Sequence, residues 1–221
     1  MFRAFSLALG DAFAAEQRKP LLLSILLALV LLLGLWAAAS ALLAGTHVSG
    51  FAWLDSVLHV LGSLAALFIA WLLFPAMTML VLGFFLDRVV AAIERAHYPG
   101  SSEARRIGIG ETLWSGIRLA FLALLLNLAA LPLYLVPGVN LFVYYGLNGF
   151  LVGREYFVAI AQRRLDPRGA HAMWQEYRFR LVLAGAVIAV LLSLPLVNLA
   201  APLIGVAFML HLFEGLRRPA A

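Results

Sequence analysis

One uncharged stretch with prolines near its middle decides the fold: residues 119–157, LAFLALLLNLAALPLYLVPGVNLFVYYGLNGFLVGREYF. Its first 35 residues carry no charge, and the pair Pro137-Gly138 divides them into arms of 18 and 15 residues, the first of which contains Pro132. At about 1.5 Å of helical rise per residue the arms reach roughly 22–27 Å, whereas the hydrocarbon core of a bilayer is about 30 Å thick. These lengths predict a helical hairpin over residues 119–153 that enters the membrane, turns at the Pro-Gly pair and leaves on the side from which it came.

The composition places the chain among integral membrane proteins. Of its 221 residues, 64% are hydrophobic and only 12% are charged, and the mean hydropathy is +1.00. A soluble globular domain carries about twice this charged fraction. Cysteine is absent, which excludes disulfides, thiolate nucleophiles and thiolate-bound metals. No other pattern in the chain predicts a cofactor.

The chain is predicted to form one all-α membrane domain, residues 1–221, that begins with an interfacial helix over residues 1–19. Aromatic and aliphatic side chains recur in this helix at helical spacing: Phe2, Phe5, Leu9 and Phe13. Charged residues stand between them. This pattern predicts an amphipathic helix that lies in the membrane interface with its phenylalanines in lipid.

Two long apolar segments and a second hairpin complete the predicted architecture. Residues 20–46 and 56–86 contain no Asp, Glu, Lys or Arg, and each is long enough to cross a bilayer as a helix. Residues 181–213 are apolar and are interrupted by Pro195 and Pro202. They predict a second, shorter hairpin.

The basic residues all fall on one side of this arrangement. Of the 16 Lys and Arg, three precede the first span, five precede the first hairpin, six lie between the hairpins and two follow the second. Because cytoplasmic loops are rich in Lys and Arg, both termini are predicted to lie in the cytoplasm. Six complete crossings would give the same sidedness, so the hairpins and full spans remain alternatives. Basic residues that flank apolar segments predict orientation in lipid and no nucleic-acid partner.

Three stretches carry a resemblance to a known family: LNGFLVGREYF at residues 147–157, LPLVNLAAPLIG at residues 194–205 and MLHLF at residues 209–213. With the order of the long helices and the proline-broken hairpins, they resemble the bacterial CysZ-type sulfate permeases, a grouping that includes the etoposide-induced 2.4 membrane proteins. The resemblance implies a bacterial inner-membrane protein that assembles as a homo-oligomer. It also implies a permease that passes sulfate inward for cysteine synthesis.

The resemblance places a sulfate site where the first long helix begins, in a Gly-Leu-Arg motif. The matching residues here are Gln17, Arg18, Lys19 and Pro20, which lack the Gly-Leu pair. Free N–H groups at a helix start, the positive end of the helix dipole and two cationic side chains all favour an oxyanion. Arg18, Lys19 and Pro20 are therefore the predicted anion-binding residues. The alternative is that Arg18 and Lys19 bind lipid headgroups and set the topology.

Five polar residues of the hairpins are candidates for a pore or gate. Asn140 and Asn198 fall at the predicted hairpin tips, where a helix would point its positive end into the membrane. Asn148 lies in apolar sequence, where an amide more often bonds a neighbouring helix than a substrate. Arg154 and Glu155 close the first hairpin, and they either form a gate or simply pair at the membrane boundary.

Two other patterns have structural interpretations. Gly149 and Gly153, with Gly146 one turn earlier, predict a face that lets another helix approach closely. His211 and Glu214 stand one turn apart, but two ligands without a second cluster are insufficient for a metal site.

The sequence contains no pattern typical of an enzyme, and two functions remain as hypotheses. One is a permease for sulfate or a similar oxyanion. The other is a non-transporting membrane protein whose hairpins shape one leaflet or scaffold a partner. In both hypotheses the protein contacts membrane lipid.

Overall fold

The computed structural model describes residues 1–45, 51–99, 109–194 and 197–217, and all regular elements in these ranges are α-helices. The predicted all-α membrane fold is confirmed. The helices are α1 (Phe2–Ala12), α2 (Ala15–Ala44), α3 (Ala52–His97), α4 (Ile109–Tyr134), α5 (Val139–Ala161), α6 (Pro167–Glu176), α7 (Arg178–Ser193) and α8 (Val197–Arg217).

Four of these helices contain segments that are long and apolar enough to cross a membrane. They are Arg18–Leu43, Ala52–Trp71, Gly116–Tyr134 and Val197–Arg217, with mean hydropathies of 2.8, 1.7, 1.9 and 1.8. The chain forms two compact units, one of residues 18–87 and one of residues 1–17 with 88–221. The interpretation of the chain as a single membrane domain stays a prediction.

The unit of residues 18–87 is a pair of apolar helices joined by polar contacts. The Trp36 indole Nε1–H donates to the Ser63 carbonyl at 3.0 Å, and the Ser40 and Ser63 hydroxyl oxygens lie 2.9 Å apart. Where lipid surrounds both helices, hydrogen bonds of this kind and close van der Waals contact hold them together. Most of the leucines in α2 are exposed, as expected for a lipid-facing helix.

The N-terminal helix differs from the prediction in length and in surroundings. α1 ends at Ala12 and α2 begins at Ala15, so the predicted helix over residues 1–19 is broken at residues 13–14. Ala8 and Ala12 are buried, and the Phe5 ring meets the Phe208 ring of α8 edge-on at 5.3 Å between centroids. Phe5 therefore packs on protein rather than in lipid, because α1 lies against α8.

The first hairpin turns where the sequence predicts. α4 ends at Tyr134 and α5 begins at Val139, and Gly138 between them has a φ of +82°. This left-handed conformation costs glycine little, since glycine has no Cβ. The tip is apolar and exposed, with Leu135 84% and Phe142 81% accessible.

The second hairpin corrects the prediction. α8 begins at Val197, so Pro202 lies inside the helix and is buried rather than at the start of an arm. Pro195 lies outside the described residues. All residues from 201 to 214 are buried, and 78% of the apolar window of α8 is buried against 6% of that of α4. α8 therefore forms the core of its unit. The free energy gained by burying its whole surface exceeds the stability lost to a proline inside the helix.

The predicted glycine face is confirmed as a helix-packing face, and its partner is α7. A Cβ atom on Gly153 would lie 2.6 Å from the Leu181 carbonyl oxygen. A Cβ atom on Gly185 of α7 would collide with the Gly149 carbonyl oxygen and lie 2.5 Å from the Gly153 Cα. The backbones of α5 and α7 thus meet without side chains between them.

We expect Gly185→Ala to destabilise the protein by about 1–3 kcal/mol, because the added methyl group must separate two backbones. Gly146→Ala is the matched control, since a Cβ atom there meets nothing within 4 Å. The measurement is the unfolding midpoint of the purified protein in detergent. Equal midpoints for both variants would contradict the close contact of α5 and α7.

Candidate functional site

The predicted anion-binding residues do not begin a helix. α2 starts at Ala15, so Arg18 is its fourth residue and Pro20 its sixth. The free N–H groups of a helix belong to its first turn, and a proline has no N–H to offer. Arg18 and Lys19 are exposed. Their positive charges still favour an oxyanion or a lipid headgroup, but Lys19 and Pro20 have no free backbone N–H group to offer.

Two of the three asparagine candidates occupy the starts of helices. Asn140 and Asn198 are the second residues of α5 and α8. Their backbone N–H groups donate to the carbonyl oxygens of Val136 at 3.1 Å and Leu194 at 3.0 Å, respectively. The Asn140 side chain is exposed and that of Asn198 is half-buried. Both are therefore in the first turn of a helix, and their role in lining a path stays a prediction.

Asn148 has a local role. Its side-chain Nδ2 donates to the Tyr144 carbonyl at 2.9 Å, one turn earlier in the same helix. The amide therefore bonds its own helix and not a neighbouring one, which differs from the interpretation drawn from the sequence.

A cationic pair stands at the foot of the first hairpin, where α4 and α5 leave the apolar region. Arg154 on α5 is half-buried and Arg118 on α4 is exposed. Burial, and then the positive charge of Arg118, lower the pKa of Arg154. Glu155 is exposed, and adjacent residues of a helix do not face each other. We call Arg118 and Arg154 the hairpin foot.

A buried ion cluster joins α3 to the residues that follow α5. Glu94 Oε1 forms an ion pair with Arg164 Nη2 at 2.9 Å, and Glu94 Oε2 accepts from Arg163 Nη2 at 3.5 Å. The side chains of Glu94, Arg164 and Arg163 are only 10%, 3% and 12% exposed. Sequence reasoning missed this cluster, because Glu94 and Arg163 are 69 residues apart. Its only sequence signal is the position of Glu94 on the apolar face of α3, beside the buried Val90 and Ile93.

A second polar cluster joins α1, α3 and α8. The Asp11 carboxylate contacts His97 Nε2 at 2.8 Å through Oδ1 and His211 Nε2 at 2.6 Å through Oδ2. The Tyr98 hydroxyl lies 2.7 Å from His211 Nδ1. In the sequence Glu214 stands one turn from His211, which alone is insufficient for a metal site. Glu214 instead accepts from Arg217 Nη2 at 3.0 Å, one turn later in α8.

One sequence comparison assigns the chain to a family. The family model for "Sulfate transporter CysZ/Etoposide-induced protein 2.4" matches residues 1–202. The chain belongs to this family. The resemblance to this family is thereby confirmed. The stretch at residues 147–157 lies within the match, whereas residues 203–205 of the second stretch and MLHLF at residues 209–213 lie beyond it. No curated protein matches the chain.

The CysZ/etoposide-induced protein 2.4 family is a transporter-type family, and the match extends over most of this chain. Within the matched range are the hairpin foot, the ion cluster around Glu94, and Asp11, His97 and Tyr98. His211 lies outside it. The comparison therefore identifies the family without defining the ligand of any one of these side chains.

We expect Glu94→Gln to destabilise this CysZ-family protein by about 3–5 kcal/mol, because it removes the negative charge that compensates two buried guanidinium groups. Arg168→Gln, at an exposed position of α6, should change the stability by no more than about 0.5 kcal/mol. Thermal unfolding of both variants in detergent provides the comparison. Similar midpoints would show that the Glu94 cluster contributes nothing to folding.

Proposed function

We propose that this protein is a membrane permease for sulfate or a similar divalent oxyanion. The observation that carries the proposal is the family match over residues 1–202 of a chain of 221 residues. Four apolar helices long enough to cross a membrane support it, and so does the cationic hairpin foot at the base of α4 and α5.

The hairpin foot is the proposed point of contact with the anion. Burial disfavours the positive charge of Arg154, and the positive charge of Arg118 adds to this cost. A dianion between Arg118 and Arg154 would relieve the repulsion, and guanidinium groups bind oxyanions through paired N–H donors. The half-buried position of Arg154 strengthens the attraction, since the local dielectric constant is lower than in water.

Arg18 and Lys19 are a second candidate contact, in the unit of residues 18–87. Both side chains are exposed, so water and salt screen their attraction for an anion. We propose that they attract anions or lipid phosphates to the membrane surface, with a smaller effect on transport than the hairpin foot.

The proposed topology has both termini in the cytoplasm of a bacterial inner membrane and both hairpin tips within the bilayer. The exposed apolar side chains at the first tip, Leu135 and Phe142, support it, because lipid or a second copy of the chain must cover such a surface. We propose a homo-oligomer for the same reason.

Labelled sulfate flux into proteoliposomes tests the transport function. We expect uptake by the wild-type protein to exceed that of empty vesicles clearly. Arg118→Gln combined with Arg154→Gln should lower the rate about tenfold, the effect of losing about 1.4 kcal/mol of interaction with the anion. Arg18→Ala combined with Lys19→Ala should lower it less.

Arg168→Gln is the control for flux, since Arg168 is exposed on α6 and should not affect the rate. Wild-type flux no greater than that of empty vesicles would overturn the permease. It would favour the non-transporting alternative, which the exposed apolar tip also supports. Equal flux in the wild-type protein and the Arg118/Arg154 variant would remove the hairpin foot from the transport path.

Thiol labelling tests the topology, since the chain contains no cysteine. In intact cells, Leu135→Cys should react with a membrane-impermeant reagent far more slowly than Gly50→Cys, because a tip within lipid is inaccessible to it. Gly50, between the two predicted spans, lies outside the described residues. Leu135 is preferred to Gly138, whose positive φ makes any side chain unfavourable.

Arg168→Cys, on the polar connection between the hairpins, should react only after the cells are opened. Fast labelling of Leu135→Cys from outside would mean that α4 and α5 cross the membrane completely. That result would overturn the hairpin topology and leave the flux experiment unaffected.

A further inference from the structure

Three residues that are far apart in the sequence bring ligating atoms to one point. Asp11 is in the last turn of α1, His97 is the last residue of α3 and His211 is in the second half of α8. Their carboxylate oxygen and ring nitrogen atoms all lie within 4.8 Å of one another. The His97 and His211 rings stand edge to face, with centroids 5.0 Å apart. Both imidazoles therefore direct a nitrogen at the same carboxylate.

Two imidazoles and one carboxylate are a ligand set that suits Zn²⁺ and related first-row divalent cations. Zinc sites with three protein ligands leave a fourth position for water. The two imidazole nitrogens favour these ions over Ca²⁺ or Mg²⁺, which prefer oxygen ligands. Atoms that share a tetrahedral Zn²⁺ lie about 3.3 Å apart, so each of the two short nitrogen–oxygen contacts must lengthen by about 0.5–0.7 Å on ligation. Asp11 and His97 lie at helix ends, where such adjustments cost little.

Tyr98 is placed as an outer partner of this ligand set. Its hydroxyl lies 2.7 Å from His211 Nδ1, on the ring nitrogen opposite the one that faces Asp11. Metal-binding histidines almost always bond their second nitrogen to such a group, which fixes the tautomer and the ring orientation. When an ion is bound, His211 would donate Nδ1–H to the Tyr98 hydroxyl oxygen and would present the Nε2 lone pair to the ion.

The place where Asp11, His97 and His211 meet is mostly buried, but solvent reaches one side of it. The His211 side chain is 1% exposed and that of Asp11 is 15% exposed, while His97 is 33% exposed. A cavity of about 390 Å³ is lined by Tyr98 and His211. His97 is the most exposed of the three ligands, so an ion would enter from the His97 side, while His211 lies in the interior of the protein.

We propose that Asp11, His97 and His211 form a binding site for Zn²⁺ or a related divalent transition-metal ion, with Tyr98 as the positioning residue for His211. The bound ion holds α1 against α3 and α8. It is separate from the hairpin foot and does not rest on transport of an anion.

The test uses full-length protein without a histidine tag, stripped with a chelator and then desalted in detergent. We expect one Zn²⁺ per chain. Co²⁺ in its place should give the intense visible absorption of a four-coordinate ion with nitrogen ligands. Zn²⁺ should also raise the unfolding midpoint, because it binds only the folded chain tightly.

Variants separate ligands from the positioning residue. Asp11→Asn and His97→Ala should each weaken Zn²⁺ binding at least 100-fold and abolish the Co²⁺ absorption. Tyr98→Phe should weaken binding about 10-fold and keep the stoichiometry of one ion. His171→Ala is the matched control, since His171 is exposed on α6 and its removal should change nothing.

Absence of the Co²⁺ absorption in the wild-type protein would overturn the site without any reliance on a variant. Equal Zn²⁺ affinity in the wild-type protein and in His97→Ala would also overturn the proposed site. The three residues would then form hydrogen bonds that join the helices without binding a metal. Neither result depends on sulfate flux, so failure here is distinct from failure of the permease proposal.

Discussion

The contact of two helix backbones at Gly149, Gly153 and Gly185 is the constraint on which the unit of residues 1–17 and 88–221 depends. In lipid, apolar side chains gain nothing by meeting one another instead of acyl chains, so association depends on close packing and polar contacts. Small residues supply the close packing. A third helix, α8, also packs closely at a glycine. A Cβ atom on Gly205 would lie 2.8 Å from the Tyr156 ring and 3.1 Å from Ile188.

Because α8 is buried, the polar side chains that it carries need partners from neighbouring residues. A buried ionised group is costly unless it is paired and hydrogen-bonded, and α8 carries His211 and Glu214 into the interior. Asp11 and Tyr98 contact the first, and Arg217 contacts the second. These polar contacts lie at the end of α8 remote from its hairpin tip. The hairpin tips themselves are apolar. The charged contacts and the apolar tips therefore lie at opposite ends of these helices.

The class, the helical content and the first turn were predictable because they depend on local sequence. Hydropathy alone predicts membrane helices, and Pro137-Gly138 is a turn wherever it occurs in an apolar run. Pro202 misled the prediction, because an internal proline costs about 3 kcal/mol and burial of residues 201–214 outweighs it. α6 was missed although Asp166 caps it, accepting from the Gly169 backbone N–H at 2.9 Å, and Pro167 occupies its first position.

The candidate sites were less predictable than the fold, because their partners are distant in the chain. Asp11 and His211 are 200 residues apart, and no periodic pattern connects them. Glycine spacing was informative for a different reason: Gly149 and Gly153 share a helix face whatever they pack against. What the sequence could not provide was the partner, Gly185, which has no neighbouring glycine to mark its position.

The lack of charged side chains at the hairpin tip also limits the route by which an oxyanion could cross the membrane. Moving a dianion into hydrocarbon without compensating charge is prohibitive, and residues 135–142 at the first tip contain no charged side chain. The exposed flank of α4, with Leu124, Leu128 and Leu131, is equally apolar. A permeation path therefore cannot follow the outer surface of this hairpin. In the proposed permease, the path would begin at cationic residues such as Arg154 and continue past polar groups enclosed by protein. This requirement is a physical reason for the proposed homo-oligomer.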